Sequence, residues 1–170
     1  MLRRDYTGQN CSIARALEIV GDRWTLLIVR DVMLGKRRFD ELAASLSIAT
    51  NVLADRLNRL VDEGVLIRVP YGKRPDRYEY RLTERGRELR TVLLALMQWG
   101  DPISGKPPRL ARRRRDGAPV SVALLADGQP IEPDEIEIVP GPGAALPTAV
   151  AFHGNARIRR RGREEGPAPS

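Results

Sequence analysis

The chain contains 170 residues, of which 42% are apolar, 30% charged and 5% aromatic, so it is long enough for one globular core and a small appendage. We expect no large multidomain enzyme. Its 29 Lys and Arg residues exceed its 22 Asp and Glu residues, which gives a net charge of +7. That excess suits a polyanionic partner, although solubility alone also accounts for it.

One cysteine and one histidine limit the chemistry that the chain can perform. They exclude a disulfide framework and leave no pair for a Cys/His metal site. A histidine base would have to be His153, which lies in a Pro/Gly-rich stretch, and no phosphate-binding loop is present. We therefore predict no metal, no cofactor and no enzymatic activity.

The sequence shows no sign of a signal peptide or a membrane segment. The basic residues at the N-terminus are not followed by an apolar region. The long stretch without acidic or basic residues, 138–156, is interrupted by three prolines, and a membrane helix needs about 20 mostly apolar residues. We expect a cytoplasmic protein without a membrane partner.

Composition changes sharply near residue 101. Eleven of the thirteen prolines follow Asp101 and seven of the eight aromatic residues precede it, which is typical of a boundary between a packed core and an appendage. We predict a main folded domain at 1–104, a small β-rich extension at 105–156 and a basic disordered tail at 157–170.

Apolar residues at helical spacing predict four helices before residue 64. The predicted ranges are 12–20, 23–34, 39–46 and 50–63, and Gly64 ends the last of them. The third and fourth helices are joined by only three residues, 47–49.

The spacing of apolar residues then changes from helical to alternating. Residues 65–69 and 77–82 predict a β-hairpin with a basic tip, and Thr83 is a suitable N-cap for a helix that reaches about Gly100. That helix carries one apolar stripe, which we expect to be buried against another surface. The stripe consists of Leu89, Val92, Leu93, Leu96 and Met97. Farther on, 119–125 and 131–139 predict a second small hairpin.

This order of elements predicts a mainly α fold of the α+β class, a winged helix-turn-helix with a long C-terminal helix and a small β-hairpin appendage. We call residues 50–63 the reading helix and the first hairpin the wing. Burial of Leu53, Leu57 and Leu60 would turn the opposite face of the reading helix outward. That face carries Asn51, Ala54, Asp55, Asn58 and Asp62.

A reading helix enters the major groove with its N-terminus first, because its free N–H groups and positive dipole end face phosphates. Thr50, Asn51 and Asp55 are therefore candidates for base contacts, with Asn58 on the same face. The alternative is that Thr50 only caps the helix and the others are solvated. Arg56 either clamps a phosphate or pairs with an acid, and Arg59 is a candidate phosphate contact.

Basic residues flank the reading helix on both sides. Lys73, Arg74 and Arg77 lie at the wing tip, where cations can contact phosphates or a narrow minor groove; the alternative is a solvated charged turn. Lys36, Arg37 and Arg38 precede the third helix and either contact phosphates or remain solvated.

Three segments resemble regulators of the HxlR type, within the MarR-like superfamily. They are WTLLIVRD at 24–31, GKRRFDEL at 35–42 and YRLTERG at 80–86, and the resemblance covers about residues 10–100. It implies a bacterial homodimer that binds double-stranded DNA, with 50–63 as reader, 68–81 as wing, and the first and last helices at the dimer interface.

The predicted dimer interface combines the resemblance with the apolar stripe, which is more apolar surface than a small monomer leaves exposed. The alternative is that the C-terminal extension covers it within one chain. The candidate interface residues are Ile13, Leu17, Leu89, Val92, Leu93, Leu96, Met97 and Trp99. Two-fold symmetry would make the operator pseudo-palindromic.

The predicted function is a sequence-specific transcriptional regulator, with repression favoured over activation. The competing hypothesis is a protein-interaction or dimerisation module of the same fold that reads no DNA, for which the acidic Asp55 and Asp62 are the best argument. No set of residues marks a small-molecule effector site.

Cys11 lies just before the first helix, where the family often has a cysteine that in some members senses oxidants. A helix N-terminus lowers the pKa of a thiol in general. An inert packing role is the alternative, and a redox role would require a partner thiol from another molecule, since this chain holds no second cysteine.

Overall fold

The computed structural model describes residues 6, 9–72 and 77–144. The wing-tip residues Lys73 and Arg74, His153 and the predicted tail at 157–170 lie outside the described residues. The helices are α1 (Ser12–Val20), α2 (Thr25–Met33), α3 (Phe39–Leu46), α4 (Thr50–Asp62) and α5 (Glu84–Ser104). The strands are β1 (Leu66–Pro70), β2 (Tyr78–Leu82), β3 (Leu124–Ala126) and β4 (Gln129–Ile131), and Pro133–Glu135 forms a 3-10 turn.

The predicted winged helix-turn-helix is confirmed, with two helix boundaries shifted by two or more residues and two others, the ends of α2 and α4, by one. α2 begins at Thr25 rather than at Arg23, because Trp24 adopts a left-handed conformation with φ 82°, which a helix interior cannot contain. α5 continues past Gly100 and stops where Gly105 has φ 76°. An interior glycine weakens a helix without ending it.

The predicted second hairpin exists, but its strands are much shorter than expected. β3 and β4 pair from Leu124 opposite Ile131 to Ala126 opposite Gln129, around Asp127 and Gly128, which both have positive φ, as a two-residue type I′ turn requires. The strand predicted at 131–139 is wrong beyond Ile131. Pro133 has no N–H to donate to a ladder, and the chain turns there.

The structure divides into two compact units, which we describe separately. One unit is Arg15–Val122; the other holds the described residues up to Ala14 and from Ala123 onward. The domain boundaries predicted from composition stay a prediction. No helix in the described part of the chain is both long and apolar enough to span a bilayer.

The core of the first unit lies between α2, α3, α4 and the wing. Its fully buried apolar side chains come from every one of these elements: Ile28, Val29, Leu42, Leu53, Leu57, Leu60 and Leu66 are each at most 1% exposed. Burying one such side chain stabilises the fold by about 2 kcal/mol. The predicted inward face of α4 is therefore confirmed.

The wing is joined to α5 by a close backbone approach. The N–H of Thr83 donates to the carbonyl of Val65 (3.1 Å), its hydroxyl donates to the carbonyl of Gly64 (2.6 Å), and the N–H of Gly86 donates to that hydroxyl (3.0 Å). A Cβ at Gly86 would lie 2.1 Å from the Val65 oxygen. Only glycine fits where α5 leaves the wing.

A buried carboxylate joins α2 to α3. Asp31 is 1% exposed and is paired with Arg30 (2.7 Å) and Lys36 (3.4 Å), while Lys36 also donates to Ser45 (2.6 Å). Burial alone would raise the pKa of Asp31, but hydrogen bonds from Ser45 and Arg30, and the charges of Arg30 and Lys36, outweigh burial and lower the pKa. The carboxylate therefore stays ionised and links α2 to Lys36 before α3 and to Ser45 in the last turn of α3.

We expect Gly86→Ala to lower the free energy of unfolding by about 1–3 kcal/mol, because the added methyl group collides with backbone rather than with a flexible side chain. Gly100→Ala is the control: it lies in the same helix and its Cβ meets nothing within 4 Å, so it should be neutral or slightly stabilising. Urea unfolding measures both. Equal effects of the two variants would contradict the close approach.

We expect Asp31→Asn to lower the free energy of unfolding at pH 7 by about 1–3 kcal/mol, because it removes a charged acceptor from buried hydrogen bonds. Because the pKa of Asp31 is lowered in the folded state, its ionised carboxylate stabilises the fold fully at any pH above the unfolded pKa of 3.8. This stabilisation is lost as the pH falls through the pKa of the folded state. The difference from the wild type should thus hold at neutral pH and shrink below pH 3.8.

The exposed Asp55 supplies the control for that experiment. Asp55→Asn should change the free energy of unfolding by less than about 0.5 kcal/mol. If the difference in the free energy of unfolding between the wild type and Asp31→Asn grows as the pH falls, the sign of the pKa shift is wrong.

Candidate nucleic-acid interface

The outward face of α4 is polar, as its sequence pattern predicts. Thr50, Asn51, Asp55, Asn58 and Asp62 are all exposed, and they lie opposite the three buried leucines of the same helix. Asn51 and Asp55 are one turn apart, so both side chains can face one ligand surface. This face carries short polar groups of the kind that contact base edges.

The N-terminus of α4 is left open to an anion. Its N-cap is Ala49, which offers no side-chain acceptor, and its first turn holds no acidic residue. By contrast, the Glu41 carboxylate in α3 accepts from the N–H groups of Arg37 (2.9 Å) and Arg38 (3.0 Å), and these bonds lower its pKa. The first N–H groups of α4 are thus suited to a phosphate oxygen.

The two arginines of α4 are engaged within the chain. Asp22 pairs with Arg56 (3.4 Å) and with Arg59 (3.1 Å), and Arg59 also donates to the carbonyl of Glu18. Of the two alternatives for Arg56, the structure shows the pair with an acid. The side chain of Arg59 points toward α1 and the turn before α2. The Arg59 phosphate contact stays a prediction that this geometry does not favour.

A contact between the wing and α4 was missed by sequence reasoning. Arg68 of β1 donates from its guanidinium to the Oδ1 atom of Asn58. Both residues are exposed, so the pair lies on the surface between the two elements. The alternation of β1 would have indicated that Arg68 points outward, but no pattern in the sequence links it to a residue ten positions earlier.

The three basic residues before α3 have different environments. Lys36 is held by Asp31 and Ser45, and Arg38 lies over the ring of Tyr71 at 4.5 Å from its centroid. Arg37 is exposed and its guanidinium makes no ion pair with any described residue. Of the three, Arg37 is the side chain most available to a ligand.

The described part of the wing leaves Arg77 exposed at the start of β2. Its carbonyl accepts from the N–H of Tyr71 (3.0 Å), which closes the ladder below the tip, while its side chain pairs with no described acid. Among the described residues, Arg77 therefore carries an unpaired positive charge next to the tip segment that holds Lys73 and Arg74 in the sequence.

The apolar stripe predicted on α5 divides into two faces. Leu89 and Leu93 pack against the core of the first unit, and Met97 is half-buried, so these three are largely covered within the chain. Val92, Leu96 and Trp99 are exposed, and Ile103, which the sequence analysis did not include, is 75% exposed. We call Val92, Leu96, Trp99 and Ile103 the α5 ridge.

Three further predicted residues lie at or near α1. Ile13 and Leu17 are exposed one turn apart, and Cys11 is an exposed free thiol directly before the helix. Its redox role stays a prediction. Among the described residues, no group of His, Cys, Asp and Glu side chains could hold a metal ion.

Comparison with known proteins places this chain in a family. A family model described as HxlR-like helix-turn-helix matches residues 19–106. The uncharacterised HTH-type transcriptional regulator Rv3095 of Mycobacterium tuberculosis is 44% identical over 137 residues, which cover 78% of this chain and 87% of that protein.

Two solved structures are similar to this chain in both sequence and fold. The crystal structure of PA1607, a candidate transcription factor, is 38% identical with a TM-score of 0.68 over 77% of this chain and 95% of that one. PA1374 of Pseudomonas aeruginosa, also a candidate transcription factor, is 42% identical with a TM-score of 0.57 over 83% of this chain and 99% of that one. These relatives are regulators and not enzymes, and this chain belongs to the HxlR-like helix-turn-helix family of DNA-binding transcriptional regulators.

Proposed function

We propose that this protein is a repressor that binds a pseudo-palindromic operator as a homodimer and acts by occupying promoter DNA. One observation carries the proposal: the open N-terminus of α4 lies directly beside the exposed side chains of Thr50, Asn51 and Asp55. N–H groups that can donate to a phosphate and a row of polar side chains suited to base edges thus occur together. Because chromosomal DNA is the target, the place of action is the bacterial cytoplasm.

In the proposed complex, α4 enters the major groove and each side chain has a distinct partner. The amide of Asn51 can form two hydrogen bonds with adenine, and the carboxylate of Asp55 can accept from the amino group of cytosine. Elsewhere Asp55 would be repelled by phosphates, so it restricts where the helix can bind. Thr50 contributes a hydroxyl that can donate or accept.

Positive charge on either side of α4 would position the duplex. Arg77 at the base of the wing tip and Arg37 before α3 are exposed without a described acidic partner, and both can contact phosphates. Lys73 and Arg74 at the wing tip would add further phosphate contacts. Arg68 has a different role: it holds Asn58 and so orients one of the groove-facing side chains.

The proposed dimer buries the α5 ridge. Val92, Leu96, Trp99 and Ile103 follow one another at intervals of four, three and four residues, which places them on one stripe of the helix. Ile13 and Leu17 on α1 are exposed at helical spacing as well. A contiguous stripe of this size is typical of an interface rather than of a solvated surface.

The proposal is tested by recovering genomic DNA fragments with the purified protein. Retained fragments should share an inverted repeat, and if six to ten phosphates are contacted their affinity should fall about 10³- to 10⁵-fold between 50 and 200 mM salt. Failure to retain any duplex would favour the protein-interaction hypothesis, for which Asp55 and Asp62 on the exposed face are the supporting residues.

Two variants should separate base contact from phosphate contact on a recovered operator. Asn51→Ala should weaken operator binding by about 1–3 kcal/mol and leave binding to random DNA unchanged. Arg77→Ala should weaken both alike and lower the slope of log affinity against log salt by about 2, because each subunit of the proposed dimer loses one phosphate contact. Fluorescence anisotropy with both duplexes measures these effects. Identical behaviour of the two variants would contradict the assignment.

Leu96→Glu should dissociate the dimer, since it places a charge in the middle of the α5 ridge, where burial without a partner is costly. Leu34→Glu is the control: Leu34 is 50% exposed and Leu96 is 45% exposed, but Leu34 lies outside α5. Sedimentation velocity should show a monomer only for Leu96→Glu. A dimeric Leu96→Glu protein with unchanged circular dichroism would place the interface elsewhere.

A further inference from the structure

Downstream of α5, arginines are concentrated in a short segment that we call the arginine loop, residues 109–117. It contains Arg109 and the consecutive Arg112–Arg115, with Asp116 as its one acidic residue. All five arginines are exposed. Such a density of like charge is unfavourable by itself and is relieved by a polyanion.

The arginine loop has a defined conformation. The N–H of Arg113 donates to the carbonyl of Ala118 (2.8 Å), and the N–H of Gly117 donates to the carbonyl of Arg113 (2.8 Å). The carboxylate of Asp116 accepts from the Arg113 side chain (3.0 Å) and from the N–H of Ala118 (3.1 Å). These bonds fix a tight turn, so the guanidinium groups emerge from an ordered backbone.

The chain on both sides of the arginine loop is held against α5 within the Arg15–Val122 unit. The side chain of Gln98 donates to the carbonyl of Val122 (3.2 Å) and accepts from its N–H (3.0 Å). Met97 and Asp101 of α5 line a cavity of about 140 Å³ together with Leu110 and Val120. The arginine loop is therefore anchored to the long helix rather than attached by a free linker.

Asp116 does not neutralise the arginine loop. It pairs with Arg113 (2.7 Å) and lies 3.5 Å from Arg115. Arg112 donates to the carbonyl of Gly117 (3.0 Å). Arg109, Arg112 and Arg114 form no ion pair with any residue that the structure describes. Within the described part of the chain, three positive charges are thus left for a ligand.

We propose that the arginine loop is a second DNA-binding element that contacts the phosphate backbone of the duplex outside the segment read by α4. Guanidinium groups bind phosphates through paired hydrogen bonds. Met97 and Asp101 lie up to about 25 Å along α5 from Glu84, where α5 leaves the wing, at 1.5 Å per residue. At that distance from the wing, a phosphate contacted by the loop would lie outside the segment that α4 reads, and such a contact would not depend on sequence. Such contact presupposes the DNA binding proposed above.

The test compares Arg114→Glu with Arg90→Glu, because Arg90 is an exposed arginine of α5 and both variants change the net charge equally. The probe is a fluorescent 40-base-pair duplex of random sequence, titrated over a series of salt concentrations. Arg114→Glu should weaken binding about tenfold or more and lower the salt slope by about 2, one contact per subunit of the proposed dimer, whereas Arg90→Glu should match the wild type. Arg114→Lys, which keeps the charge, should retain most of the affinity.

The outcomes distinguish the two proposals. A wild-type protein that binds no duplex contradicts the proposed function itself. If the wild type binds DNA and Arg114→Glu binds it equally well, only the role of the arginine loop is contradicted. The same holds if Arg90→Glu weakens binding as much as Arg114→Glu does. If Arg114→Glu no longer binds vesicles that contain phosphatidylglycerol but still binds DNA like the wild type, the loop binds a membrane surface and the proposal is overturned.

Discussion

Burial of Leu53, Leu57 and Leu60 beneath α4 is the constraint on which the candidate interface depends. Each leucine adds about 2 kcal/mol of hydrophobic stabilisation, and together they fix the rotation of the helix about its axis. Once that rotation is fixed, Asn51, Asp55 and Asn58 must face outward, because residues three and four apart share a face. Burial of the three leucines is enough to expose the polar face.

Ion pairs and hydrogen bonds then hold this helix relative to its neighbours. Asp22 reaches Arg56 and Arg59 from the turn before α2, Arg68 reaches Asn58 from the wing, and Asp31 ties α2 to the start of α3. The pairs made by Arg56, Arg59 and Arg68 are exposed or half-exposed and contribute little to stability individually, whereas Asp31 is buried. The effect of these three residues is on position: they connect α4 to elements on either side of it.

Much of this arrangement could be predicted from the sequence, because it depends on local periodicity. The leucine spacing predicted both the inward and the outward face of α4, and alternation predicted the wing. Partners distant in sequence could not be predicted: nothing local links Arg59 to Asp22 or Arg68 to Asn58. The left-handed Trp24 and the turn at Pro133 overrode patterns that otherwise favoured a helix and a strand. Periodicity also could not divide the α5 stripe into Leu89 and Leu93, which pack on the core, and an exposed ridge.

The bond between Arg68 and Asn58 has a consequence for the evolution of binding preference. In the proposed complex, the guanidinium takes up the Asn58 carbonyl oxygen and leaves the NH₂ group as the free end of the amide. Such a donor can bind the acceptor atoms of guanine, thymine and adenine, but not the amino group of cytosine. Exchange of Arg68 alone would release the oxygen and add cytosine to the choice, so base preference can change through a residue of the wing rather than of α4.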